Sequence, residues 1–346
     1  MASKNSSFSP YAIAAGKLPP NISHHDRYSS YNGVPMTAVL AVIAAFAIIF
    51  YGIRLHVRFN IMKKLGWDDL VCTFALIGVL MNLSCFGIAS VSGPLGKHMW
   101  NITLADFLGN NFVVTSYIMQ VSMTPTMGLI KLAIFLCYYE FFWALDWCRI
   151  AIYTFASLSS AFYLSLTVVQ FYFMTARKGE TLAKHFAGDM AARVTHIAIP
   201  ITAAGLAIDI ILLLIPLVAI FQVQMPKKQK IRSASVFLVG IVAIIGSILS
   251  LVFKLKTYGN LDLTYHVILV NFFICSEMSL GICIASMPFF FRALKHHKAR
   301  LSSMAISFAS VRPQFMTRHP SQSDPASSGR SSESEEKKEI VKTSEV

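Results

Sequence analysis

Three ionisable residues, Lys131, Asp209 and Glu277, each stand alone inside a long apolar stretch of the chain. A charge in a bilayer core is costly, so such residues face a protein interior and serve as ion-pair partners, proton relays or ligand contacts. Lys131 lies about two-thirds along its stretch, and the two acids lie near the middle of theirs. Helical side chains lean toward their own N-terminus, which carries the Lys131 ammonium toward the depth of both carboxylates. One base and two acids do not cancel as simple pairs. Either one acid is protonated, or an external cation or ligand amine supplies the balance. Two plainer readings stand beside this one: Lys131 snorkels to the inner interface, and the acids are interhelical hydrogen-bonding groups.

A second group, Trp67-Asp68-Asp69, opens the next apolar stretch. Acids there complement the positive end of a helix and cap its free N–H groups, or they couple the helix to cytoplasmic partners. Trp67 suits an interfacial anchor. His98 and His185 are expected to be external, His196 and His266 lie near helix ends where histidine meets water, and no spacing of His, Cys and acids resembles a metal site. There is no GxSxG, HExxH, phosphate-binding loop or dinucleotide fingerprint, so the chain is expected not to be an enzyme.

The elements that position these residues are apolar runs long enough to cross a bilayer. They are Val34–Ile53, Leu70–Val91, Phe112–Tyr138, Ile150–Phe173, Ile197–Phe221, Val236–Phe253 and Tyr265–Phe291, with the sixth the shortest. Only 14% of residues are charged and 55% are apolar, with mean hydropathy +0.58, far from the roughly 25% charge of soluble domains. The expected fold is all-α: a polytopic membrane protein with seven transmembrane helices. Residues 1–33 read as a polar extracellular tail without the apolar segment of a cleaved signal, so the first helix acts as an uncleaved one. Residues 34–295 form the membrane domain. Residues 296–346 are expected to be a disordered, Ser-rich cytoplasmic tail that cannot bury a core. Within it Ser331, Ser332 and Ser334 are candidate phosphorylation sites.

Orientation follows from charge. With the N-terminus outside and the C-terminus inside, nineteen Lys and Arg fall on the cytoplasmic side and ten outside, as the positive-inside rule requires. Glycosylation motifs at Asn5, Asn21 and Asn101 share the external side, while a fourth at Asn82 lies within the second run and is inaccessible. The net charge of +13 belongs to this topology and to the bilayer surface, not to nucleic acid. All six cysteines lie in or beside the runs, as buried thiols rather than an external disulfide framework. Pro125 interrupts the third run, Pro200 and Pro216 the fifth and Pro288 the seventh; such prolines kink helices and open cavities.

Gly66-Trp67-Asp68-Asp69, Leu95-Gly96-Lys97-His98, Ile130-Lys131-Leu132, Asp209 through Pro216, and Glu277 with Pro288 eleven residues on follow one another in an order that resembles the fungal rhodopsin-like domain family. The resemblance covers roughly residues 35–295. It implies a seven-helix receptor-like fold in a fungal membrane, and roles in signalling, surface sensing or secondary metabolism. The chain departs from related CFEM-containing receptors in lacking their cysteine-rich segment before the first helix and their cysteines around the loop after the fourth. An arginine expected in the sixth helix is replaced near Ser250, with Lys254 four residues on. No lysine occurs between Tyr265 and Phe291, so retinal is not an expected cofactor.

The functional expectation is a glycosylated plasma-membrane receptor. It would sense a small or lipophilic ligand in the outer half of the bundle and relay the signal to cytoplasmic signalling proteins through residues 54–69, 222–235 and 292–301. The alternatives are a proton-linked small-molecule transporter and a membrane accessory protein of a secondary-metabolite pathway.

Overall fold

The computed structural model describes residues 14–15, 33–143, 145–187, 190–222, 227–257 and 262–310. Asn5, Asn21, Ser331, Ser332 and Ser334 lie outside the described residues. The chain divides into two units, Met1–His297 and Lys298–Val346, and all that follows concerns the first.

Apolar runs of this length satisfy their backbone polar groups internally in lipid only as helices, and helices are what form. They are α1 (Gly33–His56), α2 (Trp67–Gly87), the short α3 (Leu104–Phe107), α4 (Asn110–Phe141), α5 (Asp146–Met174), the short α6 (Leu182–Ala187), α7 (Met190–Gln222), α8 (Lys227–Thr257) and α9 (Leu263–Ser310). The only bridge of β type among the described residues is an isolated one between Ala14 and Thr103. Six described helical segments are long and apolar enough to cross a membrane: Gly33–Met62, Trp67–Ser92, Asn110–Glu140, Asp146–Met174, Ile199–Ala219 and Thr264–His296. Large apolar side chains such as Phe46, Ile49, Leu158 and Leu164 point outward from them. A soluble protein does not leave that much apolar surface in water.

The core runs along α4 and α9, whose apolar windows are 61% and 67% buried, whereas that of α5 is 17% buried. Close approach explains how α4 comes to be central. A Cβ on Gly78 of α2 would lie 2.3 Å from Thr126 Oγ1, and one on Gly281 of α9 would lie 2.4 Å from Ile130 Cγ2. Small residues at these points let both neighbours press against α4, where lipid gives no hydrophobic drive for association. The register that results sets the depth of Lys131, one residue after Ile130.

Two boundaries differ from expectation. The first connecting loop, expected over Arg54–Trp67, shrinks to Lys63–Gly66 because α1 continues as a π-helical segment through Val57–Met62. That continuation carries Arg58, one turn after Arg54 of α1, to the same buried acids, as described below. It stops at Lys63, which takes a left-handed φ of 50°. The sixth helix likewise runs past Phe253 to Thr257, so Lys254 belongs to α8 rather than to an external loop. At the same end of the bundle His98 is half-buried: it stacks between Trp100 and Tyr265, 4.2 Å from each, and contacts Asp262. Gly96 N–H donates to the Thr264 carbonyl (3.3 Å) and Thr264 Oγ1 to the Lys97 carbonyl (2.7 Å), tying the α2–α3 connection to the start of α9.

Candidate functional site

The structure brings the three isolated charges together. Lys131 Nζ on α4 pairs with Asp209 Oδ1 on α7 and lies 3.4 Å from Glu277 Oε1 on α9. Lys131 is only 3% exposed, so its ammonium is held by the two carboxylates and does not snorkel to an interface. Ser247 of α8 donates to Asp209 Oδ2 (3.2 Å) and also to its own Ala243 carbonyl. Four helices thus meet at one polar point.

Above this point, toward the bundle end that holds His98, lies a cavity of about 140 Å³. Most of its wall is apolar, with Met123, Met127, Leu166, Phe173 and Ile274 among the lining residues. Its polar groups are few and placed on different helices. Gln170 of α5 clamps α4 by donating to the Gln120 carbonyl (2.6 Å) and accepting from Thr124 Oγ1. Glu277, Ser247, Ser250 and Lys254 line the opposite side, and Lys254 Nζ donates to Thr202 Oγ1. An apolar pocket with a few convergent polar groups is the usual form of a small-molecule site.

Lys254 changes the charge balance. Beside the two expected ways of balancing the surplus acid, a protonated carboxyl or an external cation, the structure adds a third charge of the chain itself, because Lys254 lines the same cavity as Glu277. Two cations, Lys131 and Lys254, stand against two acids, Asp209 and Glu277. Sequence reading set Lys254 just beyond the run ending at Phe253 and did not join it to the three isolated charges. Its spacing of four from Ser250 and seven from Ser247, one face of a helix, was the available signal.

At the other end of the bundle a second ionic cluster closes the core. Arg54, 0% exposed, donates from Nε to Asp69 Oδ1 (2.9 Å) and from Nη2 to Asp68 Oδ2 (2.5 Å). Its Nη1 reaches the Ala285 carbonyl at 2.6 Å, in the turn of α9 that Pro288 interrupts. Arg58 contacts both aspartates and donates to Glu140 Oε2 of α4 at 2.6 Å. Both guanidinium groups lie over the Phe289 ring, 4.4 and 4.5 Å from its centroid. Asp69 keeps its capping role as well, accepting from Gly66 N–H at 3.0 Å. Trp67 takes no part in this cluster and is 82% exposed, facing outward at the helix end.

Asn101 lies in a short 3₁₀ turn, Met99–Asn101, exposed at the cavity end of the bundle. Asn82 is buried in the core, where it donates to the Gly78 carbonyl and accepts from Ser122, so its glycosylation motif is out of reach. All six cysteines are buried and unbonded.

Long apolar helices around a charged core, with a cavity at one end and an ionic cluster at the other, define an integral membrane protein of the polytopic helical class. Residues 53–296 match the fungal rhodopsin domain, and the chain belongs to that family. Among curated proteins it is similar to Fugralins biosynthesis cluster protein 2 of Gibberella zeae, 22% identical over 74% of this chain and 64% of that protein. It is also similar to a SAT4 family membrane protein of Emericella nidulans, 23% identical over 67% of this chain and 56% of that protein. The matched stretch spans less than two thirds of either relative's length.

Proposed function

We propose that this protein is a receptor-like membrane protein of seven spanning helices, N-terminus outside, that senses a small or lipophilic signal and relays it to cytoplasmic proteins. The seventh span in this reading is α8, 31 residues long and carrying the Val236–Phe253 run. The excess of Lys and Arg on the ionic-cluster side, and Asn101 at the cavity end, support the orientation. No catalytic step is assigned, and the plasma membrane is the compartment in which an outward-facing cavity meets external signals.

One observation carries the reading: the same two helices bear both polar centres. On α4, Lys131 stands under the cavity and Glu140 in the ionic cluster. On α9, Glu277 stands under the cavity, while Ala285 and Phe289 hold Arg54 and Arg58. A ligand that changes the Lys131–Asp209–Glu277 contacts therefore loads the cluster through two continuous helices. It shifts the equilibrium between two arrangements to the extent that it binds them unequally. The partners would then meet residues 54–69, 222–235 and 292–301.

The printed name of the G. zeae relative links that protein to a biosynthesis cluster, which supports a setting beside secondary metabolism. A proton-linked transporter is the second reading, favoured by three ionisable groups in contact within the membrane. Comparing wild type with Asp209→Asn and Glu277→Gln at matched surface levels separates the two. The receptor reading expects altered transcriptional output with unchanged metabolite uptake and release. A solute flux that depends on the proton gradient and disappears in both variants would overturn it in favour of transport.

A further inference from the structure

The cavity has one polar wall whose hydrogen-bonding capacity is unspent, and it lies on α8. Ser250 is 1% exposed and lines the cavity, yet its hydroxyl has no hydrogen-bond partner. Among the described residues Trp100, Asn271 and Ser286 also have a buried polar side-chain atom without a hydrogen-bond partner, but of these groups only Ser250 lines this cavity. Ser247, Thr126, Ser276 and Ser279 all donate back to the carbonyl four residues earlier, the normal resort of a hydroxyl in an apolar helix. A buried polar group left unpaired is costly, and one that faces a cavity can be satisfied by a molecule held there. One helical turn on, Lys254 points into the same space. Among the described residues it has no carboxylate within ion-pair distance, only the Thr202 hydroxyl.

We propose that the cavity binds an apolar carboxylic acid, its carboxylate accepting from Lys254 Nζ and Ser250 Oγ and its hydrocarbon body lying against Met123, Met127, Phe173 and Ile274. This deepens the receptor reading by naming the ligand class of the same site. The four charges around the cavity sum to zero, so net charge alone does not choose between an acid and an amine. What chooses is occupancy. Glu277, the acid an amine would seek, is already within 3.4 Å of Lys131, and the Gln170 and Thr124 side chains are already bonded to each other. The donors left over are an ammonium and a hydroxyl one helical turn apart on the same cavity wall, and a charge-assisted bond to a carboxylate is stronger than a neutral one. An alcohol or amide of the same shape would keep the apolar contacts and lose that bond.

The test uses the full chain in nanodiscs and three probes with one short hydrocarbon chain, suited to a cavity of about 140 Å³: hexanoate, hexanol and hexylamine, each titrated calorimetrically. Hexanoate is expected to bind saturably, and Lys254→Gln to weaken it by roughly 10- to 100-fold, the worth of one charge-assisted hydrogen bond. Ser250→Ala is expected to weaken it about threefold to tenfold. Lys254→Arg restores binding while leaving the alcohol and amine unaffected, which distinguishes lost recognition from lost folding. Hexylamine binding as tightly as hexanoate, or an unchanged hexanoate affinity in Lys254→Gln, would overturn the assignment. Carboxylate binding without any cellular output would leave the assignment standing and remove the receptor reading; output driven by uncharged compounds alone would do the reverse.

Discussion

Replacing Lys131 with methionine keeps most of the buried stem and removes the ammonium that Asp209 and Glu277 share. Asp209→Leu does the converse, leaving Lys131 with a single carboxylate at 3.4 Å. The side chains of the pair are only 4% and 10% exposed, so water does little to compensate either loss. Breaking a buried pair by removing one partner costs about 3–5 kcal/mol, whereas replacing both with apolar groups of similar volume is often neutral or better. The Lys131→Met/Asp209→Leu double variant is therefore expected to be more stable than Lys131→Met alone, which leaves two carboxylates without their ammonium where the double variant leaves one. Glu277 loses its 3.4 Å contact with Lys131 in both of these variants, so that loss cancels in the comparison. Ser247 loses one acceptor but keeps the Ala243 carbonyl at 3.2 Å. Worked through a double-mutant cycle, the coupling is about 3 kcal/mol or more. The assay is reversible unfolding of purified protein in mixed micelles, titrated with a denaturing detergent. Additivity of the two single effects within about 0.5 kcal/mol would refute the shared-ammonium argument.

Two further outcomes follow from packing and burial. Gly281→Ala places a Cβ 2.4 Å from Ile130 Cγ2 in the tight α4–α9 contact and is expected to destabilise by about 1–3 kcal/mol; Gly246→Ala, with nothing within 4 Å, serves as the neutral control in the same unfolding assay. Arg54→Gln strips a fully buried guanidinium from Asp68, Asp69 and the Ala285 carbonyl, with an expected loss of about 3–5 kcal/mol. Glu140→Gln touches a carboxylate whose side chain is 36% exposed and is expected to cost under about 1 kcal/mol.

The charges that sequence reading identified were those whose surroundings made them anomalous. Lys131, Asp209 and Glu277 interrupt apolar runs, and burial of such groups forces them to find one another once the helices pack. Arg54, Arg58 and Lys254 were legible only as loop or flanking residues, because each stands at the edge of a run where a charge is unremarkable. What draws them in is tertiary. Asp68 and Asp69 hold the arginines on a helix that outlasts its apolar stretch, and the cavity wall takes Lys254. The partners of His98 were hidden for the same reason: Asp262 and Tyr265 are more than 160 positions away. The helical class came from hydropathy alone, since a bilayer admits few alternatives. Which helix would be central did not, because the glycines that admit close approach say nothing of their partners until α4 is seen between them.

The central claim is that the cavity end and the ionic cluster communicate through α4 and α9. Hydrogen exchange of the Lys63–Asp69 backbone in nanodiscs, compared between wild type and Glu277→Gln, tests it without a ligand. The account predicts that loosening the Lys131 contact changes exchange at that remote segment by about fivefold or more, the lower end of ordinary coupling between sites. Exchange altered only around the cavity, with Lys63–Asp69 unchanged, would contradict it.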